Sequence, residues 1–199
     1  ADMAVKAAEK ALENSGFLPD EIDLIIVSSV SSNLVLPSTA CFVQKAINAK
    51  NAFCFDINVA CTGFITAYNI SQTFINTGLI NTALIIGAES LSKITDWSDR
   101  KTCILFGDGA GAVVIKKDEN AMFETVMFSN GKNGDALTME NPFALRKTNL
   151  GKNHQGQFDI AFQDIQKTYI NMDGGEIFKF AVKKVPECIE ALLEKIHMD

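Results

Sequence analysis

Phe55-Asp56-Ile57-Asn58-Val59-Ala60-Cys61-Thr62-Gly63-Phe64-Ile65-Thr66-Ala67-Tyr68-Asn69-Ile70 carries the strongest fold signal in the chain. It opens as an extended apolar run, passes through the small residues around Cys61, and continues as a helix in which Phe64, Ile65, Ala67, Tyr68, Ile70, Phe74 and Ile75 cover more than one face. No charged side chain occurs from Cys61 to Thr77, and Gly78 supplies the stop. A helix apolar nearly all round predicts a central, buried one.

Ala52 to Val59 is predicted as the strand before this helix and Ala83 to Gly87 as the strand after it. Upstream, Leu24-Ile25-Ile26-Val27 has the β-branched, continuously apolar character of a strand covered on both faces. Ala4, Ala7, Ala8, Ala11 and Leu12 recur at helical spacing, with Asp2 to cap the start and Gly16 to end it. Pro37 is expected to open a second helix reaching about Ile47. Strands alternating with helices imply right-handed crossovers and a parallel sheet, hence an α/β fold class. Beyond it, Ala110 to Ile115 and Phe123 to Phe128 read as two strands joined by the polar turn Lys117 to Asn120. Asn130 to Gln157 reads as a long loop, and a last helix from about Gly175 to His197 is expected to kink or break at Pro186. No internal repeat is visible.

Composition narrows the function. With 199 residues, 47% hydrophobic and 21% charged, the chain can bury a real core. Lys and Arg total 18 against 24 Asp and Glu, a formal charge of −6 that argues against a phosphate-backbone binder and so against nucleic acid. The apolar runs are strand-length, so no membrane span is expected. Cys41, Cys54, Cys61, Cys103 and Cys188 are scattered, with no C-x-x-C pair, which points to a reducing, cytoplasmic setting without disulfides. His154 and His197 stand outside any ligand-spaced cluster, and no metal site is expected. His197 reads as a solvated residue at a helix end. The chain starts at Ala1-Asp2 already inside a helical pattern, which suggests a fragment.

Cys61 is the candidate nucleophile. A cysteine that follows a strand directly and opens a helix sits where unpaired N–H groups and the positive end of the helix dipole favour the thiolate. The small neighbours Ala60, Thr62 and Gly63 leave room for a substrate. The other four cysteines read as small buried hydrophobes. Gly107, Gly109 and Gly111 form a G-x-G-x-G spacing, but a β-branched run follows instead of a helix, so a dinucleotide fingerprint is not supported.

The segment Asp56 to Phe64 resembles the nucleophile segment of β-ketoacyl-acyl carrier protein synthase III, in the thiolase-like superfamily. Leu36-Pro37-Ser38, Gly87-Ala88-Glu89, Asp99-Arg100, Phe106 to Val114 and Met172 to Val182 follow in family order. The resemblance implies a layered α-β-α architecture with a mostly parallel sheet and a buried central helix. It divides the chain into an N-terminal thiolase-like half at 1–129, a variable loop and connection at 130–170, and the beginning of the C-terminal half at 171–199. It implies a decarboxylative Claisen condensation of acyl-coenzyme A with malonyl-acyl carrier protein through an acyl-cysteine at Cys61, whose backbone N–H would serve the oxyanion hole. The same resemblance makes Arg100 a contact to the nucleotide part of coenzyme A, and Leu36, Leu91 and Phe106 walls of the acyl pocket, Leu36 reaching across a homodimer interface. The Asn51 to Val59 strand is expected to form that interface. No cofactor is implied, coenzyme A thioester being a substrate. The family's catalytic histidine and asparagine would follow Asp199, so these residues alone are expected not to complete condensation. The alternatives are a related thiolase-like acyltransferase, a hydroxymethylglutaryl-coenzyme A synthase, or a non-catalytic dimerising fragment.

Overall fold

The computed structural model describes residues 1–141, 151–152, 158–159 and 168–198. His154 lies outside the described residues. The chain forms two units: 1–93 with 106–127 and 188–199, and 94–105 with 128–187.

The first unit is built on a four-stranded sheet ordered β2-β1-β3-β4. Here β1 is Leu24–Ser28, β2 Phe53–Ile57, β3 Thr82–Ser90 and β4 Asp108–Lys116. β1 pairs in parallel with β2 on one side and β3 on the other, while β4 runs antiparallel to β3 along its whole length. All five β1 residues are buried, as its unbroken apolar run requires of a strand with covered faces. Strand alternation divides the core in two. Ile25, Val27, Leu84 and Ile86 face one cluster with Ala4, Ala8 and Val43 from two helices. Leu24, Ile26, Ala83 and Ile85 face the other with Ala67 and Ile75. Each fully buried aliphatic side chain contributes about 1.5–3 kcal/mol, so this double-sided sheet is the main source of stability.

Helix α1, Asp2–Ser15, buries Ala4, Ala8, Ala11 and Leu12, one stripe at helical spacing. Gly16 ends it at φ 74°, its N–H donating to the Leu12 carbonyl at 2.9 Å. Asp2 falls inside the first turn and Ala1 takes the cap position, so Asp2 acts on the helix dipole without capping it. Helix α2, Thr39–Ile47, begins two residues later than Pro37 implied. Ser38 is its cap and accepts from the Cys41 N–H at 3.3 Å, a bond a proline at the helix start cannot provide.

Helix α3, Gly63–Asn76, follows a short 3₁₀ turn at Ala60–Thr62. It packs on the sheet through Gly63, Ala67, Ser71 and Ile75. Phe64 and Ile65 are exposed, so the expectation of burial on all sides holds for one face only. Apolarity demands a cover for the remaining face but does not say which residues supply it. The segment Phe123 to Phe128 forms no strand, and the outer edge of β4 stays unpaired by it. Tyr68 and Phe123 instead meet edge-on, ring centres 5.9 Å apart.

In the second unit, Leu137–Thr138 pairs antiparallel with Asn171–Met172. Thr95 and Thr102 are buried, and the Asp99 carboxylate accepts from the Thr102 hydroxyl at 2.9 Å. Helix α4, Gly174–Lys195, belongs to the second unit up to Glu187 and to the first from Cys188, and runs through Pro186 without a break. A proline inside a helix costs about 3 kcal/mol, which the helical segments on both sides outweigh.

Candidate functional site

The site begins where the parallel strands end. In such sheets ligands bind beyond the carboxyl ends of the strands. There the first unit has a cleft of about 280 Å³, lined among others by Ser28, Cys61, Phe64, Gly87, Glu89 and Gly109.

Cys61 stands in the 3₁₀ turn between β2 and α3 and is exposed, whereas Cys41, Cys54, Cys103 and Cys188 are all partly buried. Ala60, immediately before it, holds φ 44°, a left-handed conformation that a residue with a Cβ adopts at a cost. The turn is tied by the Thr62 N–H and hydroxyl, which donate to the Val59 carbonyl at 3.3 and 3.1 Å. No side chain caps α3, and the N–H of its first residue, Gly63, turns back to the Ala60 carbonyl. Gly63 makes this geometry possible. A Cβ there would lie 1.8 Å from the Ser28 hydroxyl oxygen, so any other residue collides with the end of β1.

Cys54, on the strand leading into the turn, is the opposite case. Burial, with Cys41 and Asp56 nearby, pushes its thiol from 9.0 up to about 12. It stays protonated at physiological pH and is no nucleophile.

The other residues singled out by resemblance are not among those lining this cleft. Leu36 is 81% exposed on the loop between β1 and α2. Leu91 and Phe106 are half-buried, Leu91 in the short turn Leu91–Lys93. Arg100 is exposed and belongs to the second unit. His197 follows α4, with φ 56° and its N–H on the Glu194 carbonyl at 3.2 Å, at the helix end where the sequence put it. Among the described residues, no group of three or more His, Cys, Asp or Glu could hold a metal ion.

Two carboxylates have structural roles that sequence reading did not assign. Asp56, on β2, accepts the Thr39 and Ala40 N–H groups at 2.6 and 2.8 Å, anchoring the start of α2. Glu89, at the end of β3, accepts the Val30 N–H at 2.9 Å and the Ser31 hydroxyl. A signal for Glu89 was present, since it is the one charged residue between Asp56 and Lys93.

A family model for 3-oxoacyl-[acyl-carrier-protein] synthase III matches residues 55–131. The chain is 45% identical to the β-ketoacyl-[acyl-carrier-protein] synthase III of Clostridium acetobutylicum, over 97% of this chain and 56% of that protein. It is 46% identical to that of Clostridium perfringens strain SM101, over 98% and 57%. Among solved structures, the 3-oxoacyl-[acyl-carrier-protein] synthase III of Aquifex aeolicus VF5 superposes with TM-score 0.73 at 38% identity, over 98% of this chain and 56% of that one. The β-ketoacyl synthase III of Thermus thermophilus gives 0.80 at 31%, over 99% and 57%. The chain thus spans little more than half the length of these relatives. Over that span it shares their mixed α/β, thiolase-like architecture with a mainly parallel sheet.

Proposed function

We propose that this chain, a stretch of β-ketoacyl-acyl carrier protein synthase III type, carries the acyl-accepting part of an initiating condensing enzyme of fatty acid synthesis. The observation that carries the reading is the placement of Cys61: exposed in a cleft, on a strained turn, at the uncapped start of a helix. In the first step the Cys61 sulfur attacks the carbonyl of an acyl-coenzyme A. A new carbon–sulfur bond forms, the bond to coenzyme A breaks, and coenzyme A leaves as the thiol with the proton Cys61 gave up. In the second step malonyl-acyl carrier protein loses carbon dioxide, and the electron pair left behind attacks the acyl carbonyl. Cys61 leaves as the thiolate.

The Cys61 N–H would hold the developing oxyanion in both steps. Arg100 would contact the nucleotide part of coenzyme A, and Leu36, Leu91 and Phe106 the acyl chain. No cofactor enters this scheme. The five free cysteines support a reducing, cytoplasmic setting, and no helix among the described residues is long and apolar enough to cross a membrane. The division at 1–129, 130–170 and 171–199 belongs to the same proposal. So does a homodimer formed along β2, which is a sheet edge whose Phe53 is 43% exposed. An unpaired apolar edge is an association hazard that pairing with a second copy removes.

By resemblance the histidine and asparagine that stabilise the enolate come after Asp199. Losing one positioned donor costs roughly 100- to 1000-fold in rate. The 199 residues alone are therefore expected to acylate slowly and not to condense. The test incubates the 199-residue polypeptide with radiolabelled acetyl-coenzyme A and then malonyl-acyl carrier protein, following label on protein and in product separately. Label retained on protein is the expected result. Rapid release as acetoacetyl-acyl carrier protein would contradict it.

A further inference from the structure

The loop from Ser29 to Ser38 joins β1 to α2, and its middle, Leu34-Val35-Leu36, is 52%, 70% and 81% exposed. Three large apolar side chains with so little cover cannot fix their own position by packing. The loop is held by polar stitches at its two ends. At the α2 end, the Ser32 and Thr39 hydroxyls are 3.1 Å apart, and Asp56 accepts from the backbone of Thr39 and Ala40.

At the β1 end the stitches converge on Glu89. One carboxylate oxygen takes the Val30 N–H at 2.9 Å; the other takes the Ser31 hydroxyl and stands 3.5 Å from that of Ser29. Ser31 in turn accepts the Ser90 N–H at 2.7 Å, so the loop is sewn twice to the end of β3. A further stitch comes from the turn that follows: Lys93 donates to the Asn33 side chain. That turn is itself held by Asp108, which takes the Ser92 N–H and hydroxyl at 2.8 and 2.7 Å. Glu89 also lines the Cys61 cleft. One side chain thus joins the cleft wall to the base of the loop whose tip carries Leu36.

We propose that Glu89 is a positioning residue that sets where the Leu34–Leu36 tip stands and, through it, which acyl primers are accepted. This rests on the reading of Leu36 as an acyl-pocket wall and of Cys61 as the acyl acceptor. Charge-assisted bonds to a carboxylate are the strong class of hydrogen bond, and their loss leaves the β1 end of the loop on the Ser31–Ser90 and Lys93–Asn33 bonds alone. The tip then occupies a wider range of positions, and the pocket wall it supplies loses definition. A hydrophobic pocket distinguishes acyl chains by about one methylene's worth of fit, on the order of tenfold, so a moved wall changes the ratio between primers more than the rate for the smallest.

The experiment compares acylation of Cys61 in the full chain by acetyl-, butyryl- and isobutyryl-coenzyme A, read by intact mass against time, in wild type, Glu89→Ala, Glu89→Gln and Ser31→Ala. Glutamine keeps an oxygen for Val30 and can donate to Ser31, so it is the rescuing variant. The expected result is a shift of about tenfold in the acetyl-to-butyryl ratio for Glu89→Ala, a smaller shift the same way for Ser31→Ala, and near-wild-type discrimination for Glu89→Gln. A purely structural role would slow all primers in parallel, and that outcome overturns the proposal. If thermal melting shows Glu89→Ala unfolded, Ser31→Ala decides alone: an unchanged ratio overturns it and a shifted one supports it. Failure of wild type to acylate at Cys61 would overturn the underlying reading and this proposal with it, whereas acylated wild type with an unchanged ratio in the variants would overturn only the role of Glu89.

Discussion

The two faces of the sheet differ in how they are closed. Under α1 and α2, Ile25, Val27, Leu84 and Ile86 are fully buried against small residues of two helices. Under α3, Leu24, Ile26 and Ile85 are equally buried, yet the helix covering them leaves Ile65 63% exposed and turns Phe64 into the cleft beside Gly87, and the edge residue Phe53 is exposed too. The first face behaves as a finished core. The second is a core with an open end, where Cys61 stands in the turn just before α3 and part of the outer surface of that helix is exposed. The cleft that holds Cys61 lies at one end of the second face.

The largest effect should come from the point where the second face admits no tolerance. Gly63→Ala puts a Cβ 1.8 Å from the Ser28 hydroxyl oxygen and 2.9 Å from its Cβ. Turning the Ser28 hydroxyl into the cleft would relieve only part of the clash, because the Ser28 Cβ stays too close. Destabilisation of about 3 kcal/mol or more is expected in urea melts, with substantial recovery in the double variant carrying Ser28→Gly. A stable Gly63→Ala protein would show that α3 does not approach β1 so closely.

Next comes the contrast between faces. Ile86→Ala removes a side chain with no exposure and should cost about 2–5 kcal/mol. Ile65→Ala, at 63% exposure, should change stability by less than about 0.5 kcal/mol. Equal losses would mean that the outer surface of α3 is covered in solution, as a second copy of the chain or a further segment would do. Sedimentation of the same samples separates these, since only the first makes stability and mass depend on concentration.

A smaller effect should follow from Cys54. Its folded pKa, about 12, lies above the ordinary 9.0, so folding favours the protonated thiol. That contribution is fully present below about pH 9 and is lost as pH rises towards 12. Wild type should therefore lose more urea resistance than Cys54→Ala between about pH 8 and pH 10.5. Parallel losses would show that Cys54 is not held as a thiol by the fold.

Much of this contrast could be read in the residues themselves. The run Leu24 to Val27 is apolar without alternation, which only a strand covered on both faces tolerates, and Gly16 and Gly78 both take the left-handed conformation that ends a helix. The turn at Cys61 was legible because small residues and an uncharged helix follow the strand at once. Pro37 misled because Ser38 beside it is the better cap. The outer face of α3 misled because apolarity records the need for a cover without naming it. The roles of Glu89 and Asp56 were beyond local reading: their partners stand 59 and 17 residues away, and only the sheet order brings them together.

Under the proposed function, the open end of the second face makes Cys61 the acyl acceptor while the cysteines packed elsewhere remain inert. The most direct measurement is incubation with acetyl-coenzyme A at neutral pH, followed by peptide mapping by mass spectrometry with and without hydroxylamine, which cleaves thioesters. The expected result is one hydroxylamine-sensitive acetyl group, on the peptide containing Cys61 and absent in Cys61→Ala. Acetyl thioester on Cys41, Cys54 or Cys188, or undiminished labelling in Cys61→Ala, would contradict it.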